Sequence, residues 1–147
     1  MIIKKVKLRS SDVKQIYFDT FPKKERMPFP MMVAMSKLWK TDFFSFYDGD
    51  TLCGFIYLAY NRNIIFVMFF AVDEKLRSKG YGKQMLQLGL KFAFELYGAS
   101  KVTLEVFENN PSAYHCYKAV GFIENGNSLT YNICNEEWKS IEMEICK

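Results

Sequence analysis

Residues 64–86 read IIFVMFFAVDEKLRSKGYGKQML, and this stretch decides the fold. It opens with nine apolar residues, Ile64 to Val72, without polar alternation. Such a run predicts a strand buried on both faces. It is also too short to cross a bilayer as a helix. A loop containing Lys75, Arg77, Lys79, Gly80 and Gly82 follows, and from Tyr81 to Tyr97 the pattern turns helical. Gln84, Gln87, Lys91 and Glu95 fall at spacings of three and four and predict one solvated stripe. Gly98 suits the cap that ends the helix.

The charge on this loop is the anomaly. A helix N-terminus carries partial positive charge and favours Asp or Glu, yet this one has Arg77, Lys79 and Lys83. An anionic ligand resolves the conflict. A glycine-containing loop entering a helix aims backbone N–H groups at one point, and the cations then complement the ligand rather than the dipole. Two familiar phosphate loops do not fit. A P-loop requires Ser or Thr after Gly82-Lys83, where Gln84 stands, and a dinucleotide fingerprint requires a third glycine at Met85.

Outward from this centre the elements alternate. Residues 2–8 read as a strand. Asp12 and Gln15 suggest a capping box for a helix to about Thr20, with Val13, Ile16 and Tyr17 on one face. The stretch FPKKERMPFP, residues 21–30, is broken by prolines, and Pro30 suits the first turn of a second helix to about Lys40. A hairpin with strands near 43–48 and 51–60 turns at Asp48-Gly49-Asp50, and Asn61-Arg62-Asn63 makes the next turn. KVTLEVF, residues 101–107, reads as a strand with Lys101, Thr103 and Glu105 on one face. A short helix spans Asn110 to Val120, and strands near 122–132 and 138–146 close the chain. The order is βααβββαβαββ. It predicts an α/β (α+β) domain over residues 1–147 with about seven strands and four helices.

Composition bounds the function. The chain has 147 residues, half of them hydrophobic and 17% aromatic, which suits one packed domain and excludes a disordered chain. A net charge of +4 is weak support for a nucleic-acid partner, and none is expected. Cys53, Cys116, Cys134 and Cys146 form no C-x-x-C pair, and His115 is the only histidine. No metal site or disulfide framework is expected, and reduced thiols suggest the cytoplasm. Charges interrupt the apolar start Met-Ile-Ile-Lys-Lys-Val-Lys, which is read as no signal peptide. No membrane association is expected.

Arg77-x-x-Gly80-x-Gly82 resembles the coenzyme A pyrophosphate loop of the GNAT superfamily of acyl-CoA-dependent N-acetyltransferases. NPSAYHCYKAVGF, residues 110–122, is similar to that family's N-x-x-A-x-x-x-Y-x-x-x-G-F element. The two blocks lie in order on the expected elements, and the resemblance implies a central mixed, mostly antiparallel twisted sheet of about seven strands flanked by four helices. The resemblance is weak before residue 42 and strongest over 64–122.

The resemblance implies acetyl-CoA as cosubstrate. It implies a pantetheine arm along Phe70, Ala71 and Val72 and a pyrophosphate on the backbone of Arg77, Ser78, Lys79, Gly80, Tyr81, Gly82 and Lys83. Lys75 or Lys79 would reach the 3′-phosphate, and Asn110, or Asn109 in its stead, would contact the pantetheine. Tyr117 matches the family's general acid. Its phenol, with an ordinary pKa of about 10, stays protonated at neutral pH and can donate to a departing thiolate.

Glu105 is the candidate base, directly or through water. Its placement resembles family members that acetylate ribosomal-protein N-termini. The acidic residue that many members carry on the preceding strand is absent from Ile64 to Val72. His115 and Cys116 receive no catalytic role. TFPKKERMPFPMM, residues 20–32, reads first as a packed loop, and Glu25 and Phe29 are its candidates for acceptor binding. The implied reaction is acetyl transfer to a primary amine, small molecule or peptide, by direct attack in a ternary complex. A catalytically silent acyl-CoA-sensing module is the alternative, and a homodimer is left open.

Overall fold

The computed structural model describes residues 1–6, 11, 14 and 40–147. The helices expected over 12–20 and 30–40 lie outside the described residues, as do Glu25 and Phe29. Among the described residues, seven strands form one sheet: β1 (Ile2–Val6), β2 (Thr41–Asp48), β3 (Thr51–Asn61), β4 (Ile64–Val72), β5 (Lys101–Phe107), β6 (Ile123–Ile133) and β7 (Glu136–Cys146). Their spatial order is β1-β2-β3-β4-β5-β7-β6. Only β4 and β5 run parallel; every other neighbouring pair is antiparallel. Helix α1 (Tyr81–Lys91) makes the crossover between the parallel strands, and α2 (Pro111–Val120) connects β5 to β6.

Local chemistry explains the punctuation. Gly49, at φ 60°, sits in the two-residue turn between β2 and β3. Primed hairpin turns of that length require positive φ. The cap of α2 is also legible. Asn110 accepts from the Ala113 amide at 3.2 Å, Pro111 takes the first turn, and Gly121 ends the helix at φ 119°. After Lys91 the α1 coil widens into a π turn over Phe92–Leu96. It closes when the Ala99 amide reaches back to the Ala93 carbonyl at 3.0 Å across Gly98. Gln84, Gln87, Lys91 and Glu95 are all exposed, as the stripe predicts.

Both faces of the central sheet are buried. Met85, Leu86 and Ala93, from α1 and its widened last turn, and Tyr117 of α2 pack with Phe44, Phe46, Ile56, Leu58, Val102, Leu104 and Met143. On β2 and β3, Phe43 stacks on Phe55 and Tyr57, with ring centroids 5.0 and 4.7 Å apart. Thr103 shares its face with Lys101 and Glu105 but is itself buried.

The sheet is pinned where β3 meets β4. A Cβ added at Gly54 would stand 2.1 Å from the Ala71 carbonyl oxygen and 2.6 Å from the Met85 methyl. Backbone cannot yield as a side-chain tip can. Gly54→Ala is expected to destabilise the fold by about 3 kcal/mol, the upper end of ordinary overpacking. Urea unfolding would show it as a lowered midpoint with an unchanged slope, and a midpoint at the wild-type value would refute the close approach.

The expectation that β4 is buried on both faces is corrected. Only Ile65 and Ala71 are fully buried, and Phe66 is 38% exposed. The reason is topological. β4 pairs with β5 only from Ile64–Lys101 to Val67–Leu104, and the strands then part. The register with β3 slips there too, because Tyr57 faces Phe69 and Leu58 faces Val67, leaving Met68 as a bulge. Bulges bend the bulged strand and raise its twist. The apolar run is therefore core at one end and cleft wall at the other.

Candidate functional site

The gap between β4 and β5 is a cavity of about 750 Å³. That volume lies in the range of small-molecule sites. One wall is Val67 to Val72 and the other is Leu104 to Phe107. Arg77, Ser78, Gly80, Gly82 and Lys83 close one end, while Asn110, Ser112, Ala113, Cys116 and Tyr117 approach from α2. On the β5 side, Met68 to Val72 have no strand partner. Apart from the Val72 carbonyl, which accepts from Arg77, backbone groups facing that side are hydrogen-bonding positions for a ligand.

The loop end is built for an anion. Ser78 and Gly80 both adopt left-handed backbone, at φ 60° and 83°. No side chain caps α1, and no acidic residue occupies its first turn. The first amides of a helix have no acceptor within it. Among the described residues, Lys75, Arg77, Lys79 and Lys83 form no ion pair. Arg77 is held in place, its Nε donating to the Val72 carbonyl at 3.2 Å. Gly82 is a close approach, since a Cβ there would lie 3.3 Å from Cys116 Sγ and 3.5 Å from Val72 Cγ2.

Lys79 and Tyr81 stand outside the cavity wall. The Tyr81 hydroxyl donates instead to Asp48 Oδ2 at 2.8 Å, tying the start of α1 to the β2–β3 turn. That bond raises the Tyr81 pKa. Lys75 and Asn109 are also outside the wall. Asn110 reaches it, but its side-chain oxygen is engaged as the α2 cap.

Tyr117 and Glu105 differ sharply in environment. Tyr117 is buried, its ring centroid 6.3 Å from Phe70 and 6.0 Å from Phe122. Its hydroxyl has no hydrogen-bond partner among the described residues. Burial pushes the phenol well above its ordinary pKa, and the adjacent Cys116 adds to the rise. Burial therefore favours its neutral, protonated form. Glu105 is an exposed carboxylate on β5, accepting from the Tyr131 hydroxyl at 2.9 Å and the Ser140 hydroxyl at 3.3 Å. Burial raises the Cys116 thiol, while Lys83 lowers it. His115 is exposed, edge-on to Tyr114 and away from the cavity.

The match that decides the family spans residues 11–122, the Acetyltransferase (GNAT) family. The chain belongs to the GNAT acetyltransferase family. A spermine/spermidine N(1)-acetyltransferase of Bacillus subtilis is 36% identical over 95 residues, covering 59% of this chain and 61% of that enzyme. The chain thus spans under two thirds of that relative's length. An N-alpha-acetyltransferase of Sulfurisphaera tokodaii is 41% identical over 58 residues, 40% of this chain and 35% of the relative. Among solved structures, a chimera of the Vibrio cholerae spermidine N-acetyltransferase SpeG superposes with a TM-score of 0.80 at 18% identity, over 99% of this chain and 96% of that one. The GNAT fold, with its seven-stranded mixed sheet, is therefore shared across nearly the full chain.

The residues fit the cosubstrate of the GNAT family. The acid-free helix start, the cations that form no ion pair among the described residues, and the bare Gly82 suit phosphates. The unpartnered edge of β4 suits an amide-bearing arm. Met68, Ser112, Phe107, Tyr131 and Ser140 also line the cavity and were not among the sequence candidates. The bulge at Met68 and the β6–β7 pairing that brings in Tyr131 are long-range features without a local signal.

Proposed function

We propose that the protein transfers the acetyl group of acetyl-CoA to a primary amine by direct attack in a ternary complex. The observation that carries this reading is one cavity with two chemically distinct ends. A cation-rich, acid-free helix start closes one end, and a buried phenol and an exposed carboxylate face the rest. When bound, acetyl-CoA would supply the thioester and a thiolate leaving group.

The chain's own residues do the remainder. Arg77 to Lys83 hold the phosphates through backbone amides and charge. Phe70, Ala71 and Val72 present main chain to the pantetheine amides. Tyr117 holds a proton for the departing sulfur. Glu105 takes a proton from the acceptor ammonium. At a pKa of about 10.4, freeing an alkylamine at pH 7 costs about 4.6 kcal/mol, so a nearby base is a real advantage. The names of the Bacillus subtilis and Vibrio cholerae relatives support a cationic amine as acceptor. We take the site to need no metal and the working compartment to be the cytoplasm, without nucleic-acid or membrane partners.

Calorimetry and thermal melting with CoA test the first half. At a hundredfold excess over Kd the fold should gain about 2.7 kcal/mol. No shift at millimolar CoA would refute the enzyme and the sensing module alike. An amine panel followed by thiol release tests the second half. A thermal shift with no release on any amine would favour the sensing module.

A further inference from the structure

Glu105 is a long side chain on an exposed strand position, and left free it would sample many rotamers. Instead, two hydroxyls converge on one of its oxygens. Tyr131 Oη donates to Oε2 at 2.9 Å, and Ser140 Oγ donates to the same Oε2 at 3.3 Å. Oε1 has no donor among the described residues.

The donors come from two different strands. Ser140 is buried on β7, opposite Phe107. Tyr131 is on β6, opposite Trp138. Phe107 meets the Tyr131 ring edge-on at 5.9 Å and the Trp138 ring at 5.1 Å, so the tyrosine is backed by aromatic surface. Glu142 is the cross-strand neighbour of Glu105, a pairing of like charges. Asn125 and Asn127 engage Glu142 with their own amides, so the two carboxylates have separate donor sets. Glu105, Tyr131, Ser140 and Phe107 all line the cavity.

We propose that Tyr131 and Ser140 are positioning residues for Glu105, holding Oε2 so that Oε1 faces the acceptor ammonium, and that the Tyr131 and Phe107 rings wall that end for an alkylammonium. This rests on the amine-acetylating reading above. The ammonium N–H proton passes to Oε1, the amine keeps its electron pair for attack, and the exposed carboxyl returns the proton to water. A cation against aromatic faces gains further attraction.

Tyr131→Phe tests the idea while keeping the ring. Its kcat/KM for an ammonium acceptor should fall about tenfold, as for one lost hydrogen bond to a charged group. The KM for acetyl-CoA should not move. In a Glu105→Gln background the same change should add less than about a twofold loss, because the two residues act as one unit. A second measurement needs no activity. The Tyr131 phenol is raised by burial and by Glu105. Glu105→Gln should therefore lower its titration midpoint, read by ¹³C NMR on Cζ-labelled tyrosine.

Unchanged kcat/KM in Tyr131→Phe, an equal loss with and without Glu105, or a Tyr131 midpoint indifferent to Glu105→Gln would each overturn the inference alone. Wild-type protein that binds CoA but acetylates no amine would overturn the functional reading and this inference with it.

Discussion

Tyr117→Phe is expected to lower kcat by about 10²–10⁴, the span of a positioned general acid. The ring would keep its packing against Phe70 and Phe122. Only the hydroxyl is lost, and it bonds no described residue. Stability should therefore change by about 1 kcal/mol or less, and CoA affinity by little. Burial keeps this phenol protonated far above neutral pH, so its donor capacity does not titrate away in the working range. Single-turnover thiol release beside urea melts of both proteins makes the comparison. Full activity in the variant would return the tyrosine to core packing and the acid role to water.

Gly82→Asp is expected to weaken CoA binding by a hundredfold or more. Two charges about 4 Å apart near a protein surface interact by about 4 kcal/mol, and here they repel. The added Cβ also enters a space bounded at 3.3 Å by Cys116 Sγ. The unliganded fold should respond differently. An aspartate in the first turn of α1 favours the helix dipole by about 0.3–1 kcal/mol and removes a helical glycine. The melting temperature without ligand should thus stay close to wild type while affinity collapses. Lys91→Asp, exposed further along the same helix, is the control. Matching losses of affinity in both variants would mean general damage and no phosphate site.

The legible parts of this protein were those fixed by local chemistry. The strand–loop–helix at 64–91 announced itself through charge that is wrong for a helix start unless an anion is bound. The second helix was legible from Asn110, Pro111 and Gly121, each with a defined capping job. The reading of β4 failed in an instructive way. Periodicity reports how apolar a face is, and a cleft wall of Val67 to Val72 is as apolar as a core. Nothing nearby in sequence announces that β5 abandons β4 after Leu104. Tyr131 was missed for the same reason. It reaches Glu105 across 26 positions of chain, through a strand order in which β7 lies between β5 and β6.

The parting of β4 from β5 divides the cavity by what can be inherited. Along β4 the available groups are main-chain amides and carbonyls, present whatever residue stands there. Point substitution cannot remove them short of proline. Across the gap, Glu105, Phe107, Tyr131 and Ser140 offer side chains, and each can be exchanged by a single codon change. A lineage carrying this architecture can drift in which acceptor it serves while its demand for one acetyl donor stays fixed. Variation among descendants should accordingly gather on β5, β6 and β7 and spare the geometry of the opposite wall.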